Sequence, residues 1–395
     1  MAELSNTLFF TAFGLYVVAM AGYFFRMAFT RATVDGVLAS TRVGERVGLA
    51  ATGLAVAGAL AHTGSVVARG LAAQRVPWAN MYEYSSVMAL IAVVAGLVVL
   101  QRRMGYGHLM GFVLALGATM MAAGAMLFVP AGPTVPALES YWLKIHVSAM
   151  VVASAIFILA FVATVLYLAK DTAERRVAAR SGERYASGTV GAASIDVDDP
   201  ADSGSPPDAV SAADAGTAPG AKAGTTVTTA DGPAIGSLLE LRRVISPLWF
   251  GVAPALFFFV WGLAKYDVVR GVSMAPVGAL LGVAAWYALP YLPSAAQLDA
   301  LAYRITAFAL PIFSFAIICG AIWAEEAWGR YWGWDPKETG SFFTWVLYAA
   351  YLHARATHGW RGRRAAWIGA GAFVALMVTY FAVNLFVVGL HSYAT

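Results

Sequence analysis

Charged side chains and cysteines are both scarce in this sequence of 395 residues. Asp, Glu, Lys and Arg together make up 12% of the chain, against 60% hydrophobic residues. Soluble domains carry about twice that share of charged residues, so the composition excludes a soluble globular protein. The single cysteine, Cys319, lies inside an apolar run. One cysteine excludes an internal disulfide and C-x-x-C redox chemistry, and we expect Cys319 to be a packing residue.

Apolar runs of about 20 residues, the length that crosses a bilayer, recur throughout the chain. We therefore predict an all-α, polytopic transmembrane protein with about ten spans. The predicted spans are residues 8–29, 46–67, 83–101, 107–129, 144–169, 248–264, 274–292, 304–323, 340–355 and 366–389. Prolines interrupt the pair 248–264 and 274–292, and without that pair the number of spans is eight. No basic residue precedes the first run, so we do not expect a cleaved signal peptide.

Basic residues predict how these spans are oriented. One alternating set of connections holds 19 of the 26 Lys and Arg residues, and the other set holds seven. Because cytoplasmic connections carry the excess of basic residues, we assign the first set to the cytoplasm, although the long connection 170–247 counts for less. Both termini and the connection 324–339 are then expected on the outer side.

Three regions follow from this pattern. Residues 1–170 are predicted to form an N-terminal set of transmembrane helices, and residues 248–395 a C-terminal set that includes the outer connection 324–339. Residues 171–247 form a cytoplasmic loop between them. Its part from about 187 to 236 is rich in Ala, Gly, Ser, Thr, Asp and Pro and has no Trp or Phe, so we predict a disordered insert. A passive linker is the simpler role for this insert, and a regulatory segment is the alternative.

Indole rings are concentrated in one stretch, Trp328-Gly-Arg-Tyr-Trp-Gly-Trp-Asp-Pro-Lys-Glu-Thr339, which we refer to as the tryptophan segment. It contains Trp328, Tyr331, Trp332 and Trp334 and lies between two predicted spans. Tryptophan is favoured at the lipid–water boundary, where its ring is apolar and its N–H is hydrated. One interpretation is therefore an ordinary interfacial anchor. The other is a flat aromatic platform for a flat ligand.

Two histidines are predicted to share the outer face with the tryptophan segment. His146 opens the fifth span, and His391 follows the last one. Either residue alone is more often a structural hydrogen-bonding group. Together beside indole rings they favour haem, because six-coordinate haem iron takes one neutral imidazole from each side. Zinc fits less well, since neither histidine has a carboxylate or cysteine at metal-ligand spacing. His108 and His358 lie among basic residues of cytoplasmic connections and are assigned no role.

Two further histidines are candidates with open alternatives. His353 lies near the inner end of the ninth span, about 20 Å from its outer end at 1.5 Å per residue. An ionisable residue inside a span is a functional candidate, and the alternative is a residue that caps the cytoplasmic end beside Arg355. His62 lies near the outer end of the second span. It either reaches the same outer site or is a plain interfacial residue.

Charged residues of the tryptophan segment are expected to have two different roles. Arg330 and Lys337 are candidates to pair with the propionates of a haem. Glu325 and Glu326 just before it, together with Asp335 and Glu338, are expected to fix the segment through ion pairs and hydrogen bonds at a helix N-terminus. Pro336 is well suited to the first position of that helix, and Asp335 to its N-cap.

The tryptophan segment resembles the tryptophan-rich "WWD" signature of the haem-handling proteins of cytochrome c maturation. Three other stretches are similar to the CcsA/ResC branch of that family, which acts in the System II pathway and is labelled CcsB in some bacteria. They are Gly320-Ala-Ile-Trp-Ala-Glu-Glu326, Thr344-Trp-Val-Leu-Tyr-Ala-Ala-Tyr-Leu-His-Ala-Arg355 and Asn384-Leu-Phe-Val-Val-Gly-Leu-His-Ser-Tyr393. The stretch Pro77-Trp-Ala-Asn-Met-Tyr-Glu-Tyr-Ser85 resembles an early external loop of the branch. The likeness is strong across 298–393, fair across 76–170 and absent in the predicted insert.

The resemblance implies a role for each matching position. His146 and His391 are expected as the two outer axial ligands of haem b. His353 is expected as a transmembrane ligand whose opposite ligand comes from a ResB-like (CcsB-type) partner or from elsewhere in this chain. The haem platform is expected to consist of Trp328, Tyr331, Trp332, Trp334 and Asp335. Gly333 and Gly340 depart from the family pattern, which commonly has serine and a bulkier aromatic residue there, and they leave the packing of the segment open.

The implied function is that of a haem-handling subunit of a System II cytochrome c synthase in the cell membrane. Haem is moved or received as a substrate and presented at the outer face. Its two vinyl groups there join the thiols of C-x-x-C-H in apocytochrome c. Thiol-reducing proteins are expected as indirect partners, and nucleic acid is not. Whether the chain is the synthase or a haem-delivering subunit stays open. The alternative is a transport or respiratory membrane protein whose tryptophans only anchor a loop.

Overall fold

A computed structural model describes residues 1–32, 38–132, 139–181, 268–357 and 359–390, with a few single positions between 246 and 256. The predicted insert 187–236 lies outside the described residues, as does nearly all of the predicted span 248–264. His391 and His358 also lie outside them.

Helices dominate the described chain. They are α1 (Ala2–Ala28), α2 (Arg42–Ala73), α3 (Met81–Ala95), α4 (Met110–Ala125), α5 (Tyr141–Ser181), α6 (Val268–Ala288), α7 (Ala295–Trp328), α8 (Pro336–Thr357), α9 (Arg363–Met377) and the single turn α10 (Asn384–Phe386). Two π-helical stretches, Gly96–Arg103 and Val378–Val383, continue α3 and α9, and 3₁₀ turns occupy Gly107–Leu109 and Leu289–Tyr291. The strands β1 (Thr30–Ala32) and β2 (Leu38–Ser40) form a small antiparallel pair between α1 and α2.

Seven of the described helical stretches are long and apolar enough to cross a bilayer: Ala2–Ala28, Arg42–Ala73, Met81–Arg103, Gly107–Ala125, Tyr141–Arg180, Ala295–Trp328 and Arg363–Phe386. Each corresponds to one of the predicted spans, which confirms the all-α, polytopic membrane class. The predicted spans 274–292 and 340–355 fall on α6 with its 3₁₀ turn and on α8. The number of crossings and the outer position of the termini remain predictions.

Small residues let neighbouring helices approach closely. The buried face of α1 repeats at helical spacing through Phe9, Ala12, Tyr16, Ala19 and Tyr23. A Cβ on Gly58 of α2 would lie 2.7 Å from the Tyr16 ring, so the contact between α1 and α2 requires a glycine there. Lipid provides no hydrophobic force between helices, so close packing of this kind has to hold them together.

An aromatic cluster joins α5, α7 and α8. Phe157 of α5 stacks on Tyr348 of α8, with ring centroids 3.8 Å apart and planes 5° from parallel. Phe313 of α7 meets Phe157 nearly edge-on at 5.7 Å. All three rings are buried, as is Cys319, which confirms the predicted packing role of that cysteine. The cluster fixes α8 against α5 and α7, and so limits where the tryptophan segment between α7 and α8 can lie.

Helix α8 begins at Pro336, directly after Asp335, as predicted. Asp335 Oδ1 accepts a hydrogen bond from the N–H of Lys337 at 3.2 Å. Glu338 Oε2 accepts hydrogen bonds from the N–H groups of Gly333 at 2.8 Å and Asp335 at 3.1 Å. Asp335 thus satisfies a backbone donor of the first helical turn, and Glu338 satisfies two backbone donors of the loop directly before it. The prediction that both residues fix the tryptophan segment is confirmed.

Candidate functional site

A cavity of about 530 Å³ lies beside the tryptophan segment. Its volume is within the range of roughly 300–1,000 Å³ that is typical of ligand and cofactor sites. The walls come from α3, α5, α7, α8 and the π-helical end of α9, together with the loop before α3. Four of the residues predicted for the site line this cavity: His146, Tyr331, Trp332 and Lys337. The fold therefore brings an imidazole of α5 and the tryptophan segment to one place.

His146 is held in a groove of α7. Its Nδ1 lies 2.6 Å from the backbone carbonyl oxygen of Ala316, so we assign the ring proton to Nδ1, which donates to that oxygen. A Cβ on Gly320, one turn further along α7, would lie 2.6 Å from the same nitrogen. Only glycine leaves room for the ring at this position.

The hydrogen bond to Ala316 leaves Nε2 of His146 with its lone pair. Nε2 has no hydrogen-bond partner within the described part of the chain. Histidines that ligate metals commonly donate their other ring N–H to a backbone carbonyl, which fixes both the tautomer and the ring orientation. The tautomer and the ring orientation of His146 are therefore those of a histidine that ligates a metal through Nε2.

The aromatic residues of the tryptophan segment are divided between the cavity and its surroundings. Trp332 lines the cavity and meets Trp334 at a centroid distance of 5.8 Å, with the two planes 89° apart. Trp334 does not line the cavity, and 65% of it is exposed. Its φ of 58° is uncommon outside glycine. Because the two indoles are nearly perpendicular, a flat ligand stacks on one of them and not on both.

Trp328 is also outside the cavity wall. It packs against Trp323 of α7, with ring centroids 4.8 Å apart. Trp323 is buried and lines the cavity itself. Trp328 therefore supports a cavity residue instead of facing the cavity.

The two cations predicted to bind propionates are placed differently. Lys337 lines the cavity, whereas Arg330 is not among the lining residues. The guanidinium of Arg330 lies across Gly333, where a Cβ would collide with it. A side chain at position 333 would require the flexible Arg330 side chain to move. A Cβ on Gly340 would similarly lie 2.5 Å from Thr379 Oγ1, so a bulkier residue does not fit there either.

Arg75, which lines the cavity, belongs to an ion cluster at the start of α3. The buried carboxylate of Glu83 accepts hydrogen bonds from Arg69 Nε at 2.9 Å and Arg75 Nη1 at 2.7 Å. It also accepts the N–H of Ala79 at 3.0 Å, and Asn80 Oδ1 caps α3 by accepting the Glu83 N–H at 2.9 Å. The cluster thereby ties the end of α2 to the loop that closes one side of the cavity.

His62 and His353 do not line this cavity. His62 is buried, with Nε2 2.9 Å from Ser86 Oγ and Nδ1 3.4 Å from Tyr16 Oη. His353 lies on an exposed position of α8, towards the C-terminal end of that helix. The predicted roles of both histidines as haem contacts stay predictions.

The chain directly before His391 passes over the start of α8. The N–H of Leu390 donates a hydrogen bond to Asp335 Oδ2 at 2.7 Å. A Cβ on Gly389 would lie 2.7 Å from the same oxygen and 3.0 Å from Pro336 Cδ, so the two segments are in closest contact there. Leu390 is the last described residue. His391 is the next in the chain, and consecutive Cα atoms are about 3.8 Å apart.

Most residues of the cavity wall were not predicted as site residues from the sequence. The wall also includes Trp78, Tyr84, Met88, Lys144, Met150, Gly320, Trp323, Glu338, Tyr380 and Asn384. In long apolar helices nothing in the composition marks which face meets a cavity and which meets lipid. Polar groups within spans were the available signal: Tyr84 Oη lies 3.2 Å from Ser154 Oγ, and Tyr380 Oη donates to the carbonyl of Met81 at 2.8 Å.

Comparisons with known proteins identify the family. A family model described as "Cytochrome C assembly protein" matches residues 78–391. A Gloeobacter violaceus protein named "Cytochrome c biogenesis protein CcsA" is 30% identical over 387 residues, which cover 97% of this chain and 94% of the relative. Proteins of that name from Trichormus variabilis and Microcystis aeruginosa are 54% and 52% identical over 99 residues, 25% of this chain and 28% and 30% of theirs. The resemblance to CcsA noted in the sequence is confirmed, and the chain belongs to the cytochrome c assembly protein family.

Proposed function

We propose that this chain holds haem in the cavity beside the tryptophan segment and presents it for attachment to apocytochrome c during cytochrome c biogenesis. The observation that carries the proposal is the state of His146. Its Nδ1–H is committed to the Ala316 carbonyl, and its Nε2 is left for a ligand. The same cavity is lined by Trp332, an aromatic surface for a porphyrin, and by Lys337, a cation for a propionate.

His391 is the proposed second axial ligand. The hydrogen bond from Leu390 to Asp335 supports this role, because it ties the residue before His391 to the tryptophan segment. Two imidazoles from distant parts of the chain then serve one iron from opposite sides. Such bis-histidine ligation would protect the iron until the substrate histidine of apocytochrome c replaces one ligand.

Three cations line the cavity wall and are proposed to attract the haem propionates: Lys337, Lys144 and Arg75, the last of which also pairs with Glu83. Lys337 was predicted for this role from the sequence, and Arg75 and Lys144 join it as proposals. Arg330 stays a predicted contact, although its guanidinium lies over Gly333. Ion pairs with carboxylates orient a ligand as well as attract it.

The proposed reaction needs proximity and orientation above all. Each thiol S–H of C-x-x-C-H adds across one vinyl group, so that sulfur bonds to the carbon beside the ring and the proton goes to the terminal carbon. No external oxidant is consumed in this addition. The protein's part is to hold haem with its vinyl edge near the thiols, which makes an intermolecular step effectively intramolecular.

His353 is proposed as a haem ligand on the route across the membrane. Its exposed position on α8 is suited to a ligand shared with a neighbouring membrane protein, here a ResB-like partner. The alternative, a residue that caps the end of the span beside Arg355, stays open, and Arg355 itself makes a bidentate ion pair with Asp299 at 2.6 and 2.8 Å.

The alternative function, in which the tryptophans only anchor a loop, is favoured by Trp334 alone. Its exposed ring has the position of an interfacial anchor. Trp332 and the supporting pair Trp323 and Trp328 are instead built into or against the cavity wall. An interfacial anchor does not require its tryptophans to line a cavity.

The test is the optical spectrum of the purified full-length chain. We expect a Soret band in the wild type and a much weaker band in His146→Ala. Free imidazole should restore the band in His146→Gly. The matched control is Gly371→Ala, since no atom lies within 4 Å of its added Cβ. A colourless wild type, or equal bands in wild type and His146→Ala, would reject the proposal.

A further inference from the structure

Two side chains in the cavity wall carry buried oxygens without a hydrogen-bond partner in the described parts of the chain. They are Oε1 of Glu338 and Oδ1 of Asn384. Both residues line the cavity, and Glu338 is only 8% exposed. A buried acceptor that has lost its water and gained no donor costs free energy, most of all on a carboxylate. Two such oxygens in one cavity are placed to accept hydrogen bonds from whatever occupies it.

The orientation of both side chains is fixed by their other polar atoms. Glu338 Oε2 accepts the N–H groups of Gly333 and Asp335, so Oε1 is the oxygen that remains. Asn384 Nδ2 donates to the carbonyl of Tyr380 at 2.6 Å, so its amide oxygen is the free atom. Both groups are acceptors held in place before a ligand arrives.

Haem is a poor match for these two acceptors. Its ionised propionates are themselves acceptors and would be repelled by Glu338, whereas Arg75, Lys144 and Lys337 in the same wall attract them. Its four ring nitrogens bind the iron and carry no proton. The oxygens of Glu338 and Asn384 require a ligand that bears N–H, O–H or S–H groups.

We propose that Glu338 and Asn384 form a subsite for the second substrate, the C-x-x-C-H peptide of apocytochrome c, and accept hydrogen bonds from its backbone N–H or side-chain donors. This inference rests on the proposed function and adds to it the place where peptide and haem meet. A peptide has access to the cavity, because its wall includes the exposed residues Gln74, Val76 and Tyr331. A site that binds both substrates side by side provides the proximity that thioether formation needs.

The test measures binding of a fluorescently labelled C-x-x-C-H peptide to the haem-loaded, full-length protein in detergent. Glu338→Gln is the first variant, because glutamine keeps an oxygen for the cap of α8 and places an NH₂ group where the free oxygen was. Asn384→Leu is the second, since it removes the amide oxygen at similar size. We expect each variant to keep its haem and to bind the peptide about tenfold more weakly. The control Glu45→Gln alters a carboxylate in the first turn of α2, away from the cavity.

Wild-type peptide affinity in both haem-loaded variants would overturn the subsite and would assign the two oxygens to ordered water. If one variant fails to fold, peptide binding by the other variant decides the test. The proposed function fails by a different result, namely a wild-type chain that holds no haem. The two failures are therefore distinguishable.

Discussion

Asp335 Oδ2 accepts the N–H of Leu390 at 2.7 Å, 55 residues further along the chain. The other oxygen of the same carboxylate accepts the N–H of Lys337 at the start of α8. One buried side chain thus joins the beginning of α8 to the end of the described chain. Because His391 follows Leu390, loss of this hydrogen bond should release the segment that carries the proposed second axial ligand.

Replacing Asp335 with asparagine should release the segment before His391. One of the two backbone donors then faces an NH₂ group instead of an oxygen, and the hydrogen bond to Leu390 or Lys337 is lost. We expect haem bound through His146 to persist while its iron changes from six-coordinate to five-coordinate. Optical and electron paramagnetic resonance spectra of the purified variant measure this change.

Gly389→Ala provides an independent version of that experiment. Its added Cβ would lie 2.7 Å from Asp335 Oδ2, so the segment has to move although the carboxylate is intact. The two variants should have the same altered spectrum. If both keep the six-coordinate spectrum of the wild type, Asp335 does not position the second ligand.

The local features of this region were predictable from the sequence. An aspartate N-cap followed by a proline is a local signal for the start of a helix and extends over about four residues of sequence. The start of α8 at Pro336 was therefore correctly predicted. Membrane spans were predictable for a similar reason, since each is one continuous apolar run. Each of the seven long apolar helical stretches overlaps one of those runs, although α5 continues 11 residues beyond its run and α7 begins nine residues before its run.

The cavity itself was not predictable, because it depends on which helix faces meet. Lys337 and Arg330 are both cations of the tryptophan segment, yet only Lys337 lines the cavity. The guanidinium of Arg330 lies over Gly333 instead. Arg75 lies more than 200 residues away in sequence and reaches the wall through its contact with Glu83. The hydrophobic periodicity of one sequence does not reveal a contact between residues so far apart in the chain.

Gly320→Ala should impair haem binding without changing any haem contact. The added Cβ would lie 2.6 Å from His146 Nδ1 and has to push the ring away from the Ala316 carbonyl. Misplacement of a ligand by about 1 Å is costly, so we expect haem affinity to fall at least tenfold. Gly371→Ala is the matched control, since no atom lies within 4 Å of its added Cβ. Equal Soret bands in the two variants would contradict the proposal that the groove in α7 positions His146 for haem.

Glu83→Gln should destabilise the end of the molecule where α2 meets the start of α3. The change leaves the guanidinium groups of Arg69 and Arg75 without their counter-charge, and removing one partner from a buried ion pair costs about 3–5 kcal/mol. Arg175→Gln is the contrast. It pairs with Asp171 but is 48% exposed, so its loss should cost no more than about 1 kcal/mol. Unfolding of both variants in the same detergent measures the difference, and similar losses would show that the Glu83 cluster is not structural.

His353 and Asp299 offer a test that separates function from stability on the other side of the molecule. Asp299 is buried and holds Arg355 of α8 against α7, so Asp299→Asn should lower stability by about 3 kcal/mol or more. His353 is exposed, and His353→Ala should change stability by no more than about 0.5 kcal/mol. If His353 is a haem ligand on the membrane route, its variant should nevertheless lose c-type cytochrome production in cells while the protein accumulates normally. Normal cytochrome production by His353→Ala would instead assign this histidine to the lipid-facing surface of α8.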